Sequence, residues 1–293
     1  RVTLSEQKRF WLCMPILQNF EEGTVVAKRV RSLVYVFVYI AAYFAAQVAA
    51  LSLRPLSDTV ICYINGMKSF SELWEYFLNE LSFQDRNSMF VLVMAMIISV
   101  LLMWAVIAVR KIKLKTYFKI GRVTAAEVVA APLYAYGLSV VAFIIVSLPQ
   151  LSGFLSEYAQ SIGAAARGDA LPSLVTVCLL APVFEEFIFR GIILGELSKN
   201  WSFIAANIIQ AVIFGAMHLN VIQGLYAALI GVVLGMIYRR SKNLALPMMV
   251  HVCFNTINTF SGVYLASAGL EIYFLVGGAV ALAAAFLLTG RKK

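Results

Sequence analysis

Within the apolar run "APVFEEFIFRG" (181–191) stand Glu185, Glu186 and Arg190. A charge at mid-bilayer costs ~2.5–3.5 kcal/mol on insertion scales, so a group of them needs a partner or a task. Two readings are open: an ion cluster that glues helices together, or a catalytic carboxylate with its support. Spacing separates the glutamates. Glu186 lies four residues before Arg190, about 40° around an α-helix, and can pair with it. Glu185 lies five before it and points about 140° away. Adjacent carboxylates in low dielectric do not both ionise cheaply, and a neighbouring cation decides which stays charged. On this reading Glu186 holds Arg190, and Glu185 faces a cavity as an available base.

The chain has only 2 histidines. His218 ends "FGAMH" and His251 opens "HVCFN", both in apolar runs, with Asn255 four residues after His251 on the same helical face. A lone intramembrane histidine is more often a helix-to-helix hydrogen bond than a catalyst. Here both histidines of the chain join two glutamates and an arginine inside predicted spans.

The elements that must position these residues follow from composition. At 61% hydrophobic and 13% charged, the 293-residue chain is read as an all-α polytopic membrane protein, since soluble domains carry about 25% charged residues. The net charge of +9 fits the cationic loops of membrane topology rather than a nucleic-acid partner. Stretches of ~20 apolar residues predict about eight transmembrane helices: 32–53, 88–109, 125–148, 172–197, 201–219, 221–238, 244–261 and 271–289. "SELWEYFLNEL" (71–81) carries Leu73, Phe77, Leu78 and Leu81 at helical spacing, as in an interfacial helix; 151–167 is a weaker second case. Alternate connecting segments carry nineteen Lys and Arg against four on the others, which puts both termini in the cytoplasm. The organisation expected is a cytoplasmic segment (1–31), three N-terminal spans (32–171), a core (172–261) and a last span with a basic tail (262–293). Gly191/Gly195 and Gly231/Gly235 form GxxxG pairs, read as close packing faces. The chain starts at Arg1 without a signal-peptide pattern, as a piece of a longer protein could.

Three motifs in order, Glu185-Glu186-x-x-x-Arg190, Phe214-x-x-x-His218 and His251-x-x-x-Asn255, resemble those of the CAAX protease and bacteriocin-processing (CPBP, or Abi) family of intramembrane proteases. The resemblance covers about 172–261; the first 120 residues match nothing specific. It implies a glutamate-type mechanism in which Glu185 and His218 activate a water, while His251 and Asn255 donate to the developing oxyanion. Glu186 and Arg190 would orient these groups, with Phe214 packed beneath. The chemistry is sound independently: a carboxylate and an imidazole can share general-base work near neutral pH, and amide or imidazole N–H groups stabilise an oxyanion.

Other readings stay open. No cofactor is favoured, yet Glu185, His218 and His251 make a His2Glu set of the kind that holds catalytic zinc. Cys178 shares the face of Glu185 and could line the cavity; Cys253 diverges from His251 by about 160° on a helix, so a cysteine nucleophile is disfavoured. The resemblance also admits a non-proteolytic membrane scaffold or immunity protein bound to another membrane enzyme. A transporter would put acids and histidines in spans too, but the expected inverted repeat is not visible. The expected partners are the bilayer and a membrane protein or peptide substrate, at a bacterial cell membrane. Asn207, Gln210, Asn220 and Asn258 are read as helix-contact residues, "RKIKLKTYFK" (110–119) as a solvated loop, and "YVFVYIAAY" (35–43) as a packing or lipid-facing stretch.

If the fourth and fifth spans were ideal straight helices, the bookkeeping of depth would not close. Glu185 lies ~21 Å from Lys199 along the helix, while His218 lies ~28 Å from it. Tilt, a break near Pro182 or a later start for the fifth span would repair this.

Overall fold

The computed structural model describes residues 24–66, 69–82, 88–165, 170–261 and 271–290, and every regular element among them is helical. The protein is thus an all-α polytopic membrane protein. Helix α1 (Val25–Ile64) is capped by the Thr24 side chain and runs 40 residues. It passes through Pro55 and ends at Asn65, just before Gly66 at φ 112°, a backbone geometry that glycine accepts without strain. The first span therefore overruns its predicted 32–53 at both ends, because nothing before Gly66 stops it. α2 (Phe70–Ser82) is the expected amphipathic helix. Phe70, Trp74 and Phe77 stack along it, and Phe70, Trp74 and Leu78 are exposed.

α3 (Ser88–Val109) packs on α1. α4 (Ala125–Val146) starts with a capping box between Thr124 and Glu127. A 3-10 turn (Pro149–Phe154) leads into α5 (Leu155–Ala165), the weaker interfacial candidate. α6 occupies 170–197 in five pieces, α-helical at Ala170–Val175, Ala181–Glu186 and Leu194–Leu197, and π-helical at Thr176–Leu180 and Phe187–Ile193. α7 (Phe203–Ala216), α8 (Val221–Ser241), α9 (Ala245–Ser261) and α10 (Glu271–Leu288) complete the fold.

By length and apolar composition, four described helices suffice to cross a membrane, at Val25–Ile64, Val91–Val109, Ala125–Val146 and Val221–Ser241; Phe203–Ala216 and Ile272–Leu288 are apolar but shorter. Helix is present in each of the eight predicted stretches. α7, however, starts at Phe203 and stops at Ala216, so His218 sits in the turn after it rather than inside a span. That later start and early stop remove most of the depth mismatch.

Two apolar clusters build the interior. One joins α1, α3, α6 and α7 through Tyr39, Met103, Ile192 and Phe214. The other joins α4, α8 and α9, with Ala285 of α10, through Leu138, Leu234 and Val250. The glycine pairs make close approaches possible. A Cβ on Gly191 would meet Phe118 at 2.5 Å, and one on Gly235 would meet Asn207 Oδ1 at 1.8 Å.

Basic helix ends and connecting segments meet at one end of the bundle. Arg110 donates to Glu196, Ser32 Oγ donates to the Glu196 carbonyl, Gly121 N–H donates to Asn243, and Arg240 donates to the Thr289 carbonyl. The stretch 110–119, read as a solvated loop, is only partly so: Lys111, Lys113, Lys115 and Lys119 are exposed, whereas Tyr117 is buried and pinned on Glu196.

Candidate active site

The two π-helical pieces of α6 flank Glu185 and Glu186, and such widenings of a helix recur at functional sites. Pro182 explains part of the first. With i→i+5 bonding, as from Ala181 N–H to the Thr176 carbonyl, the Val177 carbonyl would face the nitrogen of Pro182, which has no hydrogen. Its acceptor is met instead by Asn255, whose Nδ2 donates to Val177 O at 2.9 Å. One amide hydrogen of Asn255 is thereby committed to tying α9 to α6. A helical-wheel reading at a uniform 100° per residue has no means of locating these pieces.

Glu186 and Arg190 are fully buried and joined at 2.6 Å. Arg190 reaches across to the Gly231 carbonyl at 3.1 Å, where Gln210 also donates, at 3.0 Å. The glycine makes room, since a Cβ there would lie 3.3 Å from the guanidinium and 3.1 Å from Ala211. Gly231 therefore does more than pack: its backbone holds the arginine. Asn207 donates to the Val232 carbonyl and accepts from Gln210, Asn220 caps α8, and Asn258 donates to Ser139 of α4.

His251 lies between the two glutamates. Its Nδ1 is 2.8 Å from Glu186 Oε1, and its Nε2 is 3.7 Å from Glu185 Oε2. Glu186 is fully buried, whereas the Glu185 side chain is 29% exposed, so Glu185 alone of the pair can meet water from a cavity. Ionised against Arg190, Glu186 can only accept, which makes His251 Nδ1 the donor and leaves Nε2 facing Glu185. His218 is held the same way, Nδ1 donating to the Phe214 carbonyl at 2.9 Å. Phe214 sits among them, edge-on to His218 (5.0 Å between centroids) and to His251 (5.8 Å), with the Arg190 guanidinium 4.7 Å over its ring.

Glu185, Glu186, Arg190, His251 and Phe214 thus form one contiguous group, with His218 across the Phe214 ring and Asn255 one helical turn along. Two aromatic residues escaped the sequence reading. Tyr43 and Tyr226 both lie within the electrostatic field of Glu185, and Tyr43 stacks on Phe184 at 6.3 Å. The tyrosine-rich stretch of α1 is therefore a packing face that reaches the site. Their signal was hidden because tyrosine in an apolar helix reads as packing.

An imidazole that gives Nδ1–H to a carbonyl or carboxylate is also oriented as metal-binding imidazoles are. Among the described residues, however, no three His, Cys, Asp or Glu side chains gather closely enough to hold a metal ion. Cys178, which could line the cavity on the sequence reading, turns its Sγ to Thr259 Oγ1 of α9 at 3.6 Å.

Residues 167–257 match the family profile described as Type II CAAX prenyl endopeptidase Rce1-like. The chain is 29% identical over 116 residues to a Bacillus subtilis (strain 168) protein bearing the provisional name membrane peptidase YdiL, covering 38% of this chain and 48% of that protein. It is also 29% identical over 99 residues to an uncharacterized 24.3 kDa protein of Escherichia coli, covering 32% of this chain and 46% of that one. The chain spans about half the length of these curated relatives. No solved structure matches.

Proposed function

We propose, from the premise that residues 167–257 make this chain a CPBP-family membrane protein, that it is an intramembrane endopeptidase acting on a membrane-associated protein or peptide. The observation that carries the reading is the series Arg190–Glu186–His251–Glu185, with contacts of 2.6, 2.8 and 3.7 Å. It ends in a partly exposed carboxylate beside an imidazole nitrogen. The 3.7 Å gap is too wide for a direct hydrogen bond. A water seated against both atoms would donate one hydrogen to Glu185 and the other to His251 Nε2.

In this reading Glu185 takes the proton as the water oxygen attacks the scissile carbonyl carbon, then returns it to the leaving nitrogen as the C–N bond breaks. His251 shares the first task, held in its tautomer by Glu186 as Glu186 is held by Arg190. His218, more open than His251, supplies an N–H to the oxyanion when doubly protonated, with the uncommitted amide hydrogen of Asn255. The resemblance alone pairs His218 with the water and His251 with the oxyanion; the Glu185–His251 contact favours the exchange of these two roles. Both termini lie in the cytoplasm, and the last apolar helices complete eight crossings.

The test is cleavage of a quenched-fluorescent peptide panel by the purified protein and by Glu185→Gln, with 1,10-phenanthroline in a parallel arm. Loss of general-base function costs ~10²–10⁴-fold, so Glu185→Gln should lose at least that while the chelator changes nothing. Activity lost to the chelator and restored by zinc would overturn the metal-free mechanism. Unchanged cleavage by Glu185→Gln would overturn the assignment of the base.

A further inference from the structure

Away from the candidate site, α4, α8 and α10 leave a groove of about 390 Å³ between them. Its walls are Leu138 and Val141 of α4, Leu229 and Val233 of α8, and Leu282 and Phe286 of α10. The volume is within the ~300–1,000 Å³ of small-molecule sites, but these walls are apolar, so the groove suits hydrocarbon rather than a peptide. None of its lining residues belongs to the Glu185 group.

One end of the groove is different. The Arg240 guanidinium lies 3.7 Å over the Phe286 ring. It donates from Nε to the Thr289 carbonyl at 2.5 Å and from Nη2 to the Phe286 carbonyl at 3.0 Å, closing the last turn of α10. Among the described residues those bonds leave Nη1 without a protein partner, and no carboxylate pairs with Arg240. Arg239 and Lys242 stand exposed on the same end of α8. An apolar slot topped by an unneutralised guanidinium is complementary to one kind of amphiphile: a hydrocarbon tail below an anionic head.

We propose that this groove is a binding site for one anionic phospholipid, an acyl chain lying between Leu229, Val233 and Leu282 and the phosphate meeting Arg240. Basic residues at a bilayer surface recognise anionic headgroups by charge, and the fixed guanidinium gives that attraction a defined place. The site does not depend on the peptidase reading. Its consequence is that α10 is held to α4 and α8 partly through lipid.

The test uses the full chain in detergent supplied with equal phosphatidylglycerol and phosphatidylcholine, with the retained lipid counted by native mass spectrometry. Wild type should keep a single phosphatidylglycerol in preference by about fivefold, the weight of one basic residue beside an anionic head. Arg240→Gln should level the two lipids. Because Arg240 also closes α10, a second variant is needed: Leu229→Trp, at a position 53% exposed, fills the slot from the lipid side and should lose both lipids. Retention without headgroup preference in wild type, or unchanged retention in Leu229→Trp, would mean annular lipid only and overturn the proposal.

Discussion

Two buried glutamates stand ten residues apart on α6, each paired with an arginine, and they do opposite things. Glu186 lies inside the helical bundle with one cation and one imidazole, and its second oxygen finds no hydrogen-bond partner among the described residues. Glu196 lies at the basic end, where Arg110 grips both its oxygens at 3.0 and 3.1 Å, Lys199 approaches to 2.7 Å and Tyr117 donates to it. The second carboxylate is saturated by its donors; the first is left one bond short. A saturated carboxylate anchors. It ties α3, the 110–119 loop and α6 together, and Ser32 of α1 joins through the backbone carbonyl. An under-saturated carboxylate beside a histidine keeps that ring oriented with capacity to spare, which is what a site needs.

The environment of the anchor follows from its donors. Burial and the adjacent Glu196 carboxylate push the Tyr117 phenol well above the usual tyrosine range. Burial opposes the charge of Arg110, but Glu196 more than offsets it, so the guanidinium holds its proton more tightly than usual.

Removing each glutamate should break the comparison most sharply. Glu186→Gln strands Arg190 as an unpaired buried charge, a loss of ~3–5 kcal/mol, visible as a large fall in detergent melting temperature together with loss of peptidase activity. Replacing both partners, Glu186→Leu with Arg190→Met, should recover most of that stability and none of the activity. An active double variant would show that the pair has no positioning role. Glu196→Gln should cost ~1.5–3 kcal/mol, the scale of hydrogen bonds to a charged group, and leave turnover within about tenfold of wild type. A deeper loss of turnover would mean that the anchor reaches the chemistry.

A smaller effect tests the helix break. Asn255→Ala leaves the Val177 carbonyl unmet and should cost ~1–3 kcal/mol. Adding Pro182→Ala supplies the missing N–H and should restore melting, though not activity if the remaining amide hydrogen of Asn255 serves the oxyanion. Smallest of all, Tyr117→Phe should cost ~0.5–1.5 kcal/mol with turnover unchanged, because Arg110 and Lys199 still hold Glu196.

The sequence made the helices and the glutamate–arginine pair legible, because apolar runs and i,i+4 spacing are local signals. It also gathered Glu185, Glu186, His218, His251 and Asn255 as candidates, since polar groups are conspicuous in apolar runs. The anchor at Glu196 was not legible. Its partners Arg110 and Tyr117 are 86 and 79 residues away, and an acid beside basic residues at a helix end looks unremarkable. Nor was the exit of His218 from its span, because the apolar run continues past Ala216 while the helix does not. The second purpose of Asn255 required knowing which carbonyl Pro182 disarms, and that depends on the π-helical bonding of α6.

The length of α1 has a consequence of its own. Forty residues at 1.5 Å each make a rod of about 60 Å, twice the ~30 Å of a bilayer's hydrocarbon. Such a rod either leans steeply or stands proud of the slab, and α2 folds back against its far end with Phe70 and Trp74 turned outward. The pair forms an outrigger with an aromatic face turned outward. Because α1 also carries Tyr43, stacked on Phe184 next to Glu185 in the chain, the thickness of the surrounding membrane, by setting that lean, becomes mechanically connected to the wall of the site.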